Sequence, residues 1–167
     1  VYSGWMMPPA QYAALHEAAL RSGRVLVNSP QQYEHGHYLP RSYPLIDEHS
    51  PRTVWSESTE LPDLESFGAR AVVLKDFVKS EKHAWLDACF IPDASDRSNV
   101  ARVVGNFLAL RGAELNGGLV FREFVALEQV GVHPKSGMPL GRELRQVFFD
   151  GRPVLRFNYW DEVAYAF

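Results

Sequence analysis

The chain has 167 residues, 46% of them apolar and 22% charged, enough for one domain with a real core or for a piece of a larger protein. A formal net charge of -3 and a pI near 6.1 give no reason to expect a nucleic-acid polyanion as partner. The single cysteine, Cys89, excludes an internal disulfide framework and fits a cytoplasmic setting, and no apolar run approaches the ~18 to 20 residues that span a bilayer.

The chain opens on Val1, inside what reads as a strand, "VYSGWMM", so a segment of a longer protein is expected. Pro8 and Pro9 suit a helix start, Tyr12, Leu15, Ala18 and Ala19 share one face, and Gly23 supplies the stop. "RVLVN", Arg24 to Asn28, reads as a short buried strand. Ser29-Pro30 opens a further helical turn through Tyr33. Pro51 to Trp55 is a strand behind a proline, "LPDLESFG" a short helix ending at Gly68, and Ala71 to Lys75 the next strand. "DASDRSN" offers several N-caps. Val100, Val103, Val104, Phe107 and Leu108 then follow the i, i+3, i+4, i+7, i+8 pattern of a helix that stops at Gly112. Gly118 to Leu127 is a strand and Gly131 to Gly141 a loop. Glu143 to Trp160 is two strands joined at Asp150-Gly151, a strong hairpin signal.

Lys75 ends an apolar strand, on the face of Val73 and Ala71. A lysine on an inward face needs an anion, whereas one that has reached solvent needs none. Lys79, Lys82 and His83 add three potential cations, and a loop of this kind after a strand can close over phosphates. In "FREFV" one of Arg122 and Glu123 must face the core side or a cleft. Glu143 and Arg145 share a strand face, as do Arg156 and Asn158 on the partner strand; a solvated ion pair at a hairpin end would look the same. His35, His37 and His133 lack the companions of a zinc site, and Cys89 reads as a buried inert thiol. No GxGxxG, GxxxxGK[ST] or GxSxG motif occurs.

Four motifs in order resemble the ATP-grasp superfamily: "VLVNSPQQYEHGHYLPRSYPLIDEHSPRTVW", "FGARAVVLKDFVKS", "GLVFREFVAL" and "GRELRQVFFDGRPV". The nearest likeness is to bacterial ATP-grasp proteins of unassigned substrate. More distantly, the Glu-Leu-Arg hairpin is similar to that of the cell-division-cycle chaperones that assemble a translation initiation factor.

The resemblance implies an α+β ATP-grasp core with its nucleotide cleft between two antiparallel β-layers and flanking helices, here a fragment of the full fold. Residues 1–50 would end an N-terminal substrate subdomain, 51–115 form the first ATP-grasp subdomain, and 116–167 a truncated second one. It implies Lys75 as the phosphate lysine, Lys79 on a mobile loop closing over the phosphates, and adenine against backbone groups of Glu123, Phe124 and Val125. Glu128 would meet the ribose. Arg145, the catalytic residue of the set, would face the terminal phosphates, with Glu143 orienting it or touching Mg²⁺ through water. The direct Mg²⁺ ligands are expected beyond Phe167, and Arg41 is the nearest cation to the place of a further phosphate lysine. ATP and a small-molecule or peptide carboxylate are the implied partners. The implied activity is ligation of an activated carboxylate to an amine or similar nucleophile, the alternative being a non-catalytic ATP-binding assembly factor.

Overall fold

A computed structural model describes residues 6–166. The first helix, α1 (Pro9–Arg21), starts at its proline pair and buries Tyr12. α2 (Pro30–His37) is opened by a capping box: the Gln32 N–H donates to Ser29 Oγ, and the Ser29 N–H donates back to Gln32 Oε1. The turn foreseen through Tyr33 therefore continues to His37, and a one-turn helix, α3 (Leu39–Ser42), follows. Between α1 and α2 the expected strand Arg24 to Asn28 is absent. Val25 and Val27 are 80% and 78% exposed, because no other strand lies beside them to take their backbone hydrogen bonds. The strand expected at "VYSGWMM" falls, for residues 1–5, outside the described residues.

Four strands build the main sheet: β1 (Thr53–Trp55), β2 (Val72–Lys75), β3 (Phe90–Ile91) and β4 (Val120–Glu123). Their spatial order is β1-β4-β2-β3, every pair antiparallel. A one-turn helix, α4 (Trp85–Ala88), precedes β3. α5 (Arg97–Arg111) follows it, capped by the Asp96 carboxylate, which accepts the Asn99 N–H. One sheet face buries Val72, Leu74 and Phe121 against Val100, Val103 and Phe107 of α5. The other carries Val73, which packs with Trp85, Cys89, Met138 and Leu140.

The supposed loop Gly131 to Gly141 is mostly a hairpin. β5 (Gln129–Val132) pairs with β6 (Pro139–Gly141), closed by the His133 N–H donating to the Met138 carbonyl. Its Gly and Pro residues read as loop, but the hairpin caps the Val73 face of the sheet, and that burial is nonlocal. β7 (Leu144–Phe149) and β8 (Arg152–Asn158) form the foreseen ribbon. Asp150 and Gly151 turn it with φ of 49° and 70°, both in the left-handed region that a tight hairpin requires. The α+β class with antiparallel β-layers and flanking helices holds.

Candidate functional site

β2 and β4 set which side chains can meet. Lys75 is opposite Val120 and Val73 opposite Arg122, and directly paired residues share a sheet face. Lys75, Val73 and Arg122 therefore stand on the side away from α5. Glu123, opposite Val72, stands on the α5 side, where its carboxylate lies 3.6 Å from Arg70. Lys75 and Glu123 thus leave their strands on opposite faces, so a three-way meeting with Arg145 through the Glu123 side chain does not occur. Arg122 takes the place on the cleft side.

Lys75 is half-buried and its Nζ donates to the Val78 carbonyl at 3.1 Å. Burial is the main force on its proton and brings the pKa from 10.5 down to about 8. Asp76 acts in the opposite sense, while Arg122 and Lys82 push the same way as burial. Burial also lowers Arg122. Three cations thus face one another, and none has an ion pair among the described residues.

The one acid beside them is already engaged. Asp76 is fully buried, and its Oδ1 accepts the N–H groups of Val78 (2.7 Å) and Lys79 (2.5 Å). Its Oδ2 accepts from Arg111 Nε and from the Asn116 N–H, both at 3.1 Å. Arg111, at the end of α5, also reaches Glu81 at 3.2 Å and the Glu114 carbonyl. The start of the loop expected to be mobile is therefore tied to α5 through one carboxylate. Gly117 and Gly118 let the approach to β4 pass close by: a Cβ on Gly117 would collide with the Phe77 ring, and one on Gly118 with the Ser56 carbonyl.

Arg145 comes to the same region by way of Tyr159. Its guanidinium lies 4.5 Å from the Tyr159 ring centroid, and Lys82 Nζ donates to Tyr159 Oη at 3.1 Å. Glu143 accepts Trp160 Nε1 at 3.1 Å, and Trp160 packs with Val73 on the far face of the sheet. Lys75, Lys82, Arg122 and Arg145 therefore border a common region.

The segment after β4 lines a cavity of about 260 Å³ with Phe124, Val125, Ala126 and Leu127 on one wall and Pro139, Leu140 and Glu143 on the other. Phe124 packs into the cluster that holds Val73 and Trp160, so cavity and cations share a border. The Glu123 and Phe124 N–H groups donate to the Arg52 and Ala71 carbonyls. Glu128 is exposed and accepts both Arg142 Nε (2.8 Å) and Arg142 Nη2 (2.7 Å), which holds its carboxyl below the usual range.

Lys79 lines a different space, a polar cavity of about 390 Å³ shared with His37, Gln11, Glu114 and Asn116. Burial lowers the His37 pKa, as Lys75 and Lys79 also do, while Asp76 opposes them. Arg41 lies 3.6 Å from Glu34 and 3.7 Å from Glu57. Among the described residues no group of three or more His, Cys, Asp or Glu side chains could hold a metal ion.

Sequence reasoning passed over Tyr159 and Trp160 altogether and gave Lys82 no role beyond adding to the local charge. No local signal marks them, since Lys82 and Tyr159 are 77 residues apart. The parity of β4 did leave Arg122 as one of two candidates for the cleft.

A family model described as an ATP-grasp domain, the third family of its clade, matches residues 66–166. No curated protein and no solved structure matches the chain.

Proposed function

The chain belongs to the ATP-grasp superfamily, and from that premise we propose that it binds ATP to activate a carboxylate as an acyl phosphate and join it to an amine or similar nucleophile. The observation that carries this is the group formed by Lys75, Lys82 and Arg122. They are half-buried or mutually repelling cations on one sheet face, and their only acidic neighbour is committed to Arg111. Such a group costs folding energy unless an anion completes it, and the ATP polyphosphate, with about four negative charges, is an anion of the right kind.

In this reading Lys75 and Arg122 hold the phosphates, and Arg145 meets the γ-phosphate with Glu143 and Tyr159 fixing the strand beside it. Adenine enters the cavity walled by Phe124, Val125 and Leu140, and Glu128 is the ribose candidate beside Arg142. The substrate carboxylate oxygen attacks the γ-phosphorus, the bond to the bridging oxygen breaks, and ADP leaves. The nucleophile then attacks the acyl carbon, loses its proton, and expels phosphate. No protein side chain need become covalently attached, so catalysis is positioning and charge neutralisation. Mg²⁺ accompanies ATP in this superfamily. The described residues do not fit a resident divalent ion, so no step is assigned to one here.

The test is ATP binding by calorimetry, followed by trapping of acyl phosphate with hydroxylamine across a panel of carboxylic acids. ATP-dependent hydroxamate with one acid class supports ligation. ATP binding without hydroxamate or phosphate release across the panel would favour the assembly-factor alternative. Absence of ATP binding sinks both.

A further inference from the structure

Lys82 is held far from its own segment. It sits in the short 3-10 turn Lys82–Ala84, yet its ammonium donates to Tyr159 Oη and lies 4.7 Å from the Trp160 ring centroid. The acids nearby are spent elsewhere: Glu81 pairs with Arg111, Asp76 with Arg111, and Glu143 accepts from Trp160. Lys82 also repels Lys75 strongly enough to help lower its pKa, so the two ammonium groups face each other. A neutral hydroxyl and an aromatic ring hold an ammonium less tightly than a phosphate does.

We propose that Tyr159 and Trp160 form a resting cradle for Lys82, from which its ammonium transfers to the polyphosphate when ATP binds. Lys82 is then a phosphate-contacting residue beside Lys75. Tyr159 is a positioning residue that competes with ATP for it, and Trp160 senses its departure. This inference rests on the ATP-binding reading above. It also gives the segment from Asp76 to His83 two ends of different character: Asp76 is anchored in the core, while Lys82 is attached through contacts that a phosphate can replace. Arg145 shares the Tyr159 ring, so release of Lys82 leaves that guanidinium on its platform.

The sign of the Tyr159 effect separates this role from a structural one. If Tyr159 Oη merely stabilised the site, its loss would weaken ATP binding. If it competes for Lys82, its loss strengthens binding. The experiment titrates the full chain and its Lys82→Met, Tyr159→Phe and Trp160→Phe variants with Mg·ATP and with AMP, which lacks the β- and γ-phosphates, by calorimetry and tryptophan emission. The parent is expected to change emission with ATP and not with AMP, and Trp160→Phe to lose that change. Lys82→Met should weaken ATP binding by roughly tenfold or more with AMP unaffected, the scale of a charge-assisted contact. Tyr159→Phe should tighten ATP binding by about two- to tenfold, the scale of one neutral hydrogen bond. ATP binding by Lys82→Met equal to the parent overturns the proposal. So does weaker binding by Tyr159→Phe, which decides the matter even if Lys82→Met fails to fold. A parent chain with no ATP affinity by calorimetry refutes the nucleotide reading itself, and the cradle with it.

Discussion

Replacing Lys75 by methionine should make the empty protein more stable. Methionine keeps the unbranched stem and removes the charge. The ammonium pKa falls from 10.5 to about 8 on folding, chiefly through burial. At 1.36 kcal/mol per pH unit this is a folding penalty of roughly 1 to 3 kcal/mol, after discounting for its residual solvent contact. The lost hydrogen bond to the Val78 carbonyl returns about 1 kcal/mol. The expected net gain is about 0.5 to 2 kcal/mol, a rise in melting temperature of roughly 1 to 8 °C for a domain of this size. The lowered pKa also sets the sign of the pH dependence. Below pH 8 the group is charged in both states and the folded protein bears the whole penalty. Between pH 8 and 10.5 the folded protein loses the proton first, the unfolded chain binds more protons, and stability rises with pH. The advantage of Lys75→Met should therefore be largest near pH 7 and shrink by pH 10. Denaturant melts at both values, with and without Mg·ATP, give the result. A variant less stable than the parent at pH 7, or an advantage independent of pH, refutes the claim that Lys75 is held at a cost for an absent anion.

Asp76→Asn should be severe. The amide cannot replace the charge that Arg111 faces, and a loss of about 3 to 5 kcal/mol is expected, read from chemical denaturation; a loss below about 1 kcal/mol would show that the loop is anchored elsewhere. Val125→Pro removes a backbone donor in the cavity wall and should cut ATP affinity by roughly tenfold or more, one lost contact plus distortion, measured by calorimetry. Unchanged affinity would move adenine out of that cavity. Glu128→Gln breaks a bidentate contact with Arg142, and if Glu128 holds the ribose it should narrow the preference for ATP over 2′-deoxy-ATP in a competition titration. An unaltered preference would leave Glu128 as a partner of Arg142 alone.

Features that depend on neighbours a few positions away were legible in the chain. The capping residue Asp96 and the stop at Gly112 bound α5 because a cap and a left-handed glycine act within one turn. The Asp150-Gly151 turn sets the β7–β8 register for the same reason. The ordered motifs around Lys75, Arg122 and Arg145 were also enough to find the superfamily. Contacts between distant segments settled the rest. An apolar run becomes a strand only where another strand accepts its hydrogen bonds, so Val25 to Val27 stayed exposed while the glycine- and proline-rich stretch from Gln129 to Gly141 paired with itself. The choice between Arg122 and Glu123 for the cleft was made by the pairing of β4 with β2, since the partner strand and the layers on each side define which face is which. Lys82, Tyr159 and Arg145 meet only because the chain folds back across 77 residues, a contact between side chains that no local periodicity encodes.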